Sequence, residues 1–217
     1  MLRYDERLRT LALGFAMLAG FVDTIGFLMS GGLFVSFMSG NSTRLAIGFS
    51  ETSRLVGQAA MLIALFVLGV VTNVVVCARV GAAQRKVTAC AVVAVLLVAS
   101  ATLQSLAWPR GTVWAVCLAM GAANVVFQRE GEVSIGVTYM TGNLVRLGYR
   151  IAYALLGQDR TAWLPYLLLW IAFVLGGIGG ALTYRASAAL CLWAAAAFAM
   201  VLVVVARVLT RPRYRSA

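Results

Sequence analysis

The sequence MSGNSTRL at Met38–Leu45 returns as MTGNLVRL at Met140–Leu147, so the pattern Met-Ser/Thr-Gly-Asn-x-x-Arg-Leu occurs twice in 217 residues. A second phrase, FVLG, lies at Phe66–Gly69 and again at Phe173–Gly176, after each copy of the first. Two matches in the same order at similar offsets indicate an internal duplication, in which each half of the chain carries one unit.

The composition places the chain in a lipid bilayer. Hydrophobic residues make up 62% of it and charged residues 12%, against about 45–50% and about 25% in soluble domains. A hydrocarbon core about 30 Å thick needs about 20 apolar residues per helix. The stretches that meet or approach this length are Leu11–Met29, Val56–Ala78, Val87–Trp108, Gly111–Phe127, Trp163–Tyr184 and Ala186–Val208. We predict an all-α integral membrane protein with six transmembrane helices, in repeats of residues 11–108 and 111–208 within one membrane domain, 1–217.

Basic residues lie at the ends of the apolar stretches rather than on a polar face. In the six-helix arrangement, thirteen of the 18 basic residues fall on one side of the membrane and three on the other, the two motif arginines aside. The positive-inside rule makes the basic side cytoplasmic, so both termini are predicted to be cytoplasmic. The membrane thus accounts for the net charge of +11 without a nucleic acid partner. Seventeen arginines against one lysine, with abundant alanine, indicate a GC-rich bacterial genome and hence the bacterial inner membrane.

The motif-bearing segments, Leu33–Phe49 and Val133–Leu156, determine how the two halves are oriented. If each segment dips into the membrane and returns to its own side, each half crosses three times and the halves are inverted repeats. If each segment crosses fully, the halves are parallel four-helix units, and the cluster of Arg79, Arg85 and Lys86 lies outside the cell. The charge distribution favours the inverted arrangement.

The Gly-Asn pair of each motif is a candidate helix break. Transporters built from inverted repeats place the solute near the midplane, between broken helices. Gly40 and Gly142 tolerate strained backbone conformations, and asparagine is a preferred N-cap. We therefore predict that Asn41 and Asn143 cap half-helices that begin at the residue after each of them.

The motif arginines are unusual in that position. Counted from the predicted caps, Arg44 and Arg146 fall in the first helical turn, where the helix dipole disfavours a cation. Three interpretations remain open. The side chains extend to lipid head groups, they contact an anionic solute at the positive helix ends, or they form internal ion pairs.

Asp23 lies well inside the first apolar stretch, and an ionisable residue in the membrane is a functional hypothesis by default. Asn124 is its counterpart in the second half when the halves are aligned with a one-residue shift. Asp23 either forms an ion pair with a motif arginine or takes up a proton or a cation during transport. The candidate solute-binding residues are therefore Asp23, Met38, Gly40, Asn41, Arg44, Asn124, Met140, Gly142, Asn143 and Arg146.

Several residue patterns are absent. The chain has no histidine, and its four cysteines show no Cys-x-x-Cys spacing, so they are interpreted as packing residues. No phosphate-binding or dinucleotide-binding glycine loop occurs. We therefore expect no metal, no cofactor and no enzymatic activity. The small residues of Gly176–Gly180 suit close helix contact, within the bundle or in a homodimer, while Gln58, Asn73 and Gln104 suit hydrogen bonds between helices.

A resemblance to a known family rests on GFVDTIGF at Gly20–Phe27 and on LFV at Leu33–Val35, which lead into the first Met-Ser-Gly-Asn, together with the second Met-Thr-Gly-Asn. The chain resembles, over nearly its whole length, the bacterial YoaK-like family of small integral membrane proteins. Ser39 stands where that family more often has threonine, and Ala123 stands where glutamine is expected. The resemblance implies a membrane architecture and supplies no substrate.

Two classes of function follow from these patterns. The first is a channel or secondary transporter for a small solute, with an anion favoured. The second is a membrane scaffold or assembly protein that transports nothing and binds a neighbour through the glycine-rich stretch. A continuous polar cavity joining Asn41 and Asn143 would favour transport, and a dry, tightly packed centre would favour the scaffold.

Overall fold

The computed structural model describes residues 6–51, 53–129, 132–133 and 136–210. Over these ranges the chain forms eight α-helices and one short antiparallel hairpin, in which Gln128 pairs with Val133 and Arg129 with Glu132. The elements are α1 Glu6–Ser30, α2 Met38–Glu51, α3 Ser53–Ala78, α4 Arg85–Ser105, α5 Pro109–Ala123, β1 Gln128–Arg129, β2 Glu132–Val133, α6 Met140–Leu155, α7 Leu164–Tyr184 and α8 Ala188–Leu209.

Five helices in the described ranges are long and apolar enough to cross a membrane, namely α1, α3, α4, α7 and α8. This confirms the all-α membrane class. The predicted helix Gly111–Phe127 is wrong at its end, because α5 stops at Ala123 and the chain turns into the hairpin. With 15 residues, α5 is about 22 Å long. It is also the most enclosed helix, with 11 of its residues buried.

Each half packs its first helix against the FVLG-bearing helix of the other half. Gly20 of α1 lies so close to α7 that an added methyl group would overlap the carbonyl oxygen of Phe173. Gly121 of α5 lies in the same way against the carbonyl oxygen of Phe66 in α3. The two phenylalanines begin the two copies of FVLG, so the duplicated sequence makes duplicated contacts between the halves.

The glycine that ends each FVLG completes this packing. Gly176 faces the carbonyl oxygen of Met17, and Gly69 faces that of Leu118. Gly180, one turn after Gly176, meets the backbone of α1 one turn after Met17. Hence α1 and α7 run in the same direction, and the glycine-rich stretch of α7 is used inside the bundle.

Hydrogen bonds between α3 and α5 hold this second pair of helices together. The Cys117 thiol donates to the carbonyl oxygen of Leu62 at 3.0 Å, and the Asn73 amide donates to that of Ala122 at 2.8 Å. Leu62 precedes Asn73 in α3, and their partners Cys117 and Ala122 follow in the same order in α5, so these two helices are also parallel to each other. Asn73 donates in addition to Ala89 of α4 at 3.2 Å, which confirms its predicted role in joining helices. The four cysteines are all buried, as expected of packing residues.

After α1 the chain folds back along the helix that it has just left. Gly31 and Gly32 have φ values of 74° and 113°, which glycine adopts without strain. The backbone amides of Val35 and Ser36 then bond to Asp23, seven residues before the end of α1, or about 10 Å along its axis. The α2 helix therefore begins at the depth of Asp23, and its 14 residues lead away from that depth.

The second motif segment is built on the same plan. Thr138, just before α6, bonds to Asn124 at the end of α5, as the loop before α2 bonds to Asp23. The 16 residues of α6 then lead to the connection with α7. Both motif helices are thus short helices that begin beside the end of the first helix of their own half.

Candidate functional site

A cavity of about 710 Å³ lies where the first turns of α2 and α6 approach each other. Both halves contribute to its wall, in several cases through corresponding residues. The lining consists of Asp23, Phe34, Ser36, Phe37, Met38, Ser39, Phe66, Gly136, Thr138, Tyr139, Met140, Thr141, Gly142, Asn143, Arg146 and Phe173. Of the charged side chains that the structure describes, this wall contains one carboxylate and one guanidinium.

The motif helices begin earlier than the sequence predicted. α2 begins at Met38 and α6 at Met140, so both Gly-Asn pairs lie inside the first helical turn rather than at a break. The prediction that Asn41 and Asn143 are N-caps is therefore wrong. The breaks are the loops that precede the two motifs.

Asn41 holds the first of these loops in place. Its side-chain oxygen accepts a hydrogen bond from the Phe34 amide at 2.9 Å, and its Nδ2 donates to the Phe34 carbonyl at 2.6 Å. Asn143 likewise donates to the Gly136 carbonyl at 3.1 Å. These bonds reach back seven residues, which is why neither side chain caps the helix that follows. Both asparagines are buried, and only Asn143 lines the cavity.

The motif glycines differ between the halves. A side chain on Gly40 would collide with the Phe37 ring, 2.5 Å from its would-be Cβ, because that ring packs edge-on against Phe34. Nothing lies within 4 Å of the corresponding point on Gly142, which faces the cavity. Gly40 is thus needed for packing, whereas Gly142 leaves open space at the site.

The motif arginines lie in the second turn of their helices rather than the first, because those helices begin at Met38 and Met140. Arg44 is half-buried, with its guanidinium 5.7 Å from the centre of the Phe27 ring, a cation–π contact. It does not line the cavity. Arg146 is exposed and lines the cavity. Of the three interpretations of the arginines, contact with a solute therefore suits only Arg146.

Asp23 is 7% exposed and forms no ion pair with either motif arginine. Its Oδ1 accepts hydrogen bonds from the backbone amides of Val35 at 3.0 Å and Ser36 at 2.8 Å. The ion-pair interpretation of Asp23 is therefore wrong, since backbone amides stand where a guanidinium was considered. The carboxylate reaches the cavity wall.

Asn124 does equivalent work in the second half with a neutral side chain. Its Oδ1 accepts a hydrogen bond from the Thr138 hydroxyl at 2.8 Å, and its Nδ2 donates to the Met120 carbonyl at 2.9 Å. Both hydrogen-bonding groups of the amide are thus satisfied within the protein, and Asn124 does not line the cavity.

Sequence reasoning missed most of the wall. The cavity is bordered by the rings of Phe34, Phe37, Phe66, Tyr139 and Phe173 and by the hydroxyl residues Ser36, Ser39, Thr138 and Thr141. A signal for some of them is present in the sequence. Ser36 and Thr138, like Phe37 and Tyr139, stand at the same offset before each motif, and pairs of this kind continue the repeat beyond the eight residues first recognised.

The long apolar helices and the two half-length motif helices define a polytopic α-helical membrane protein with an internal cavity. The chain belongs to the family described as protein of unknown function (DUF1275), whose model matches residues 11–205, and this confirms the resemblance drawn from the sequence. A similar protein is the UPF0700 transmembrane protein RA0705 of Rhizobium meliloti (strain 1021). The two are 34% identical over 188 residues, which cover 86% of this chain and 80% of the relative. No solved structure matches the chain.

Proposed function

We propose that this protein is a channel or secondary transporter that moves a small anion through the cavity between α2 and α6. The observation that carries the proposal is the meeting of two helix N-termini and one arginine in a single cavity. Met38 and Ser39 bring the start of α2 to its wall, and Met140 and Thr141 bring the start of α6. Neither helix has an acidic residue in its first turn.

Electrostatics favours a negatively charged solute at this point. A helix N-terminus carries roughly half a positive charge, and its free N–H groups bind anions directly. Arg146 adds a full positive charge and several donors on the α6 side. Asp23 does not pair with Arg146, because its carboxylate accepts hydrogen bonds from the backbone amides of the loop before α2 instead.

A scaffold without transport has less support. That hypothesis relied on the glycine-rich stretch of α7 as a docking surface, and Gly176 and Gly180 instead face α1. It also required a dry, tightly packed centre, whereas a cavity lies between the first turns of α2 and α6 and is bordered by Asn143, though not by Asn41. A homodimer is not needed by this mechanism, since one chain supplies both motif helices.

We also propose that the two halves are inverted repeats with six crossings, α5 being the sixth. Phe15 of α1 packs against Phe127, just beyond the end of α5, while the later Asp23 lies near the earlier Cys117, so α1 runs opposite to α5. Because α5 is parallel to α3, α1 also runs opposite to α3, which supports a motif segment that returns to its own side. The reciprocal packing of α1 on α7 and of α5 on α3 relates the two halves. In each pair, the two helices belong to opposite halves and run in the same direction. Since the loop between α4 and α5 holds only 106–108, α4 and α5 run in opposite directions. Both termini are then cytoplasmic in a bacterial inner membrane, by the positive-inside rule.

Inverted repeats place the outer ends of α2 and α6 on opposite sides of the membrane. Phe49, near the end of α2, is 78% exposed, and Leu155, at the end of α6, is 83% exposed. In a variant whose native cysteines are replaced by alanine, we expect Phe49→Cys to react with an impermeant maleimide added to intact cells. Leu155→Cys should react only after the cells are opened. Labelling of both from the same side would contradict the inverted arrangement.

The proposed function is tested by replacing each motif arginine with glutamine. The probes are chloride, nitrate, methanesulfonate and lactate, and the assay is exchange of each labelled anion in proteoliposomes. A hydrogen bond to a charged group contributes about 1.5–3 kcal/mol. Arg146→Gln should therefore lower exchange of the transported anion by about ten-fold or more.

Arg44→Gln is the matched control, because Arg44 belongs to the same motif and contacts Phe27 instead of the cavity. It should keep exchange within about two-fold of the parent. Equal exchange by Arg146→Gln and the parent for every transported anion would contradict a role of Arg146 in binding. If the parent exchanges none of the four anions, the proposal of anion transport is wrong.

A further inference from the structure

We propose that Asp23 binds a proton that is carried together with the anion, so that the protein is a proton–anion symporter. This proposal rests on the proposed function, because it assigns the coupling ion of the same cavity. It is based on a comparison of corresponding positions in the two halves of the chain. Asp23 and Asn124 have the same place in the two halves, yet only the acid lines the cavity.

The second half indicates that this place does not need a charge for folding. Each residue anchors the loop that leads into the motif helix of its own half, Asp23 through Val35 and Ser36 and Asn124 through Thr138. An amide satisfies that task in the second half. A carboxylate at the depth of the cavity is costly in a membrane, so its presence in the first half points to a task that an amide cannot perform. Gaining and losing a proton is such a task.

A neutral Asp23 would find a partner without rearrangement of the helix. Asn124 donates from Nδ2 to the carbonyl oxygen of Met120, one helical turn before it. The carbonyl oxygen of Ala19 has the same position relative to Asp23. A protonated carboxyl group has one O–H to donate and would bond to that carbonyl, while its other oxygen keeps the bonds from the loop.

The groups around Asp23 suggest that its protonation depends on whether the anion is bound. On α5, the Cys117 thiol lies within electrostatic range of Asp23, while α7 presents glycines at this level, with Gly177 close to Thr24. α8 meets α1 nearer the start of α1, where Leu202 packs against Gly14. The charged or titratable side chains across the cavity are Tyr139 and Arg146. A bound anion beside Arg146 would therefore be the negative charge added next to Asp23, and a nearby like charge favours protonation of a carboxylate.

The transport step that follows is electrically neutral. The anion enters beside Arg146, and the Asp23 carboxylate takes one proton from hydronium on the same side, so that one O–H bond of hydronium breaks, one carboxyl O–H bond forms, and water is left. On the other side the anion leaves, the carboxyl O–H bond breaks, and the proton forms an O–H bond with water to give hydronium. One proton and one monovalent anion cross together, and no other bond changes.

The experiment uses the four probe anions in proteoliposomes with the membrane potential clamped at zero. With the outside two pH units more acidic, we expect the parent to accumulate the transported anion above its equilibrium level. Asp23→Asn should abolish this accumulation, because the first half then carries the same neutral amide as the second. The exchange of labelled for unlabelled anion that Asp23→Asn retains through Arg146 and both helix N-termini should not respond to the pH gradient.

Asp159→Asn is the matched control for the same chemical change. Asp159 lies in the exposed connection between α6 and α7, where hydrogen bonds from the Thr161 backbone and side chain lower the pKa of its carboxyl group. This variant should accumulate anion as the parent does. Thermal unfolding in detergent serves as the check that Asp23→Asn folds. Asp23→Glu, which keeps an ionisable carboxyl group on a longer side chain, should retain part of the accumulation that Asp23→Asn loses.

The outcomes separate the two proposals. Exchange by the parent without any response to the pH gradient would overturn proton coupling and leave anion transport standing. Accumulation by Asp23→Asn equal to that of the parent would overturn the assignment to Asp23. No exchange by the parent would mean that the proposed function itself has failed.

Discussion

Gly20→Ala and Gly121→Ala are expected to lower the stability of the protein much more than a glycine-to-alanine change on an open helix surface does. At each position the added methyl group would overlap a backbone carbonyl oxygen, that of Phe173 or that of Phe66. A backbone atom cannot turn away as a side chain does, so the helices must separate. Overpacking of this kind costs about 1–3 kcal/mol, or a fall in Tm of about 2–12 °C for a chain of this size.

Gly148→Ala is the matched control, since Gly148 is a helical glycine of α6 with nothing within 4 Å of the added group. Its Tm in detergent should equal or slightly exceed that of the parent, because alanine favours helix more than glycine does. The two halves should also respond alike, because the two contacts correspond. A parental Tm for both Gly20→Ala and Gly121→Ala would contradict the reciprocal packing of α1 on α7 and of α5 on α3.

The long helices could be predicted from the sequence because a bilayer requires long apolar segments. The predicted stretch Val56–Ala78 has the same bounds as the apolar span in the structure. Most of the other predicted boundaries differ from the observed ones by a few residues. The exception is the helix predicted to end at Phe127, which extends four residues beyond the observed end of α5 at Ala123. α5 is buried by protein on nearly all sides, so its length is set by neighbouring helices and by the hairpin rather than by the bilayer.

The starts of the motif helices could not be predicted, because asparagine has two competing roles. A Gly-Asn pair before a helical pattern has the signature of an N-cap. Here the Asn41 side chain bonds to both backbone groups of Phe34, and this partner lies in a loop whose path follows from Gly31, Gly32 and Asp23. Local sequence does not contain that path.

The candidate site was predicted in part. Asp23, Met38, Met140, Gly142, Asn143 and Arg146 line one cavity, whereas Gly40, Asn41, Arg44 and Asn124 do not. The repeat explains the omissions as well as the matches. A duplicated sequence shows which positions are related, but only the packing shows which member of a pair faces the cavity. Arg44 is held away from the cavity by its contact with Phe27, and no pattern in the sequence predicts that contact.

The claim that the cavity between α2 and α6 is the solute pathway is tested most directly by blocking it. Thr141 lines the cavity at the start of α6 and is exposed. In the variant without native cysteines, Thr141→Cys should react with methanethiosulfonate ethylsulfonate, which places a negative sulfonate and its chain in the cavity. Leu155→Cys, at the exposed end of the same helix and outside the cavity, is the control for labelling itself.

Anion exchange in proteoliposomes, measured before and after reaction and after reversal with a thiol reductant, is the deciding measurement. We expect labelled Thr141→Cys to lose at least about nine-tenths of its exchange and to regain it on reduction, since the sulfonate occupies the anion's place and repels it. Labelled Leu155→Cys should exchange as before. Parental exchange by Thr141→Cys after complete labelling would show that the solute does not pass between the two motif helices.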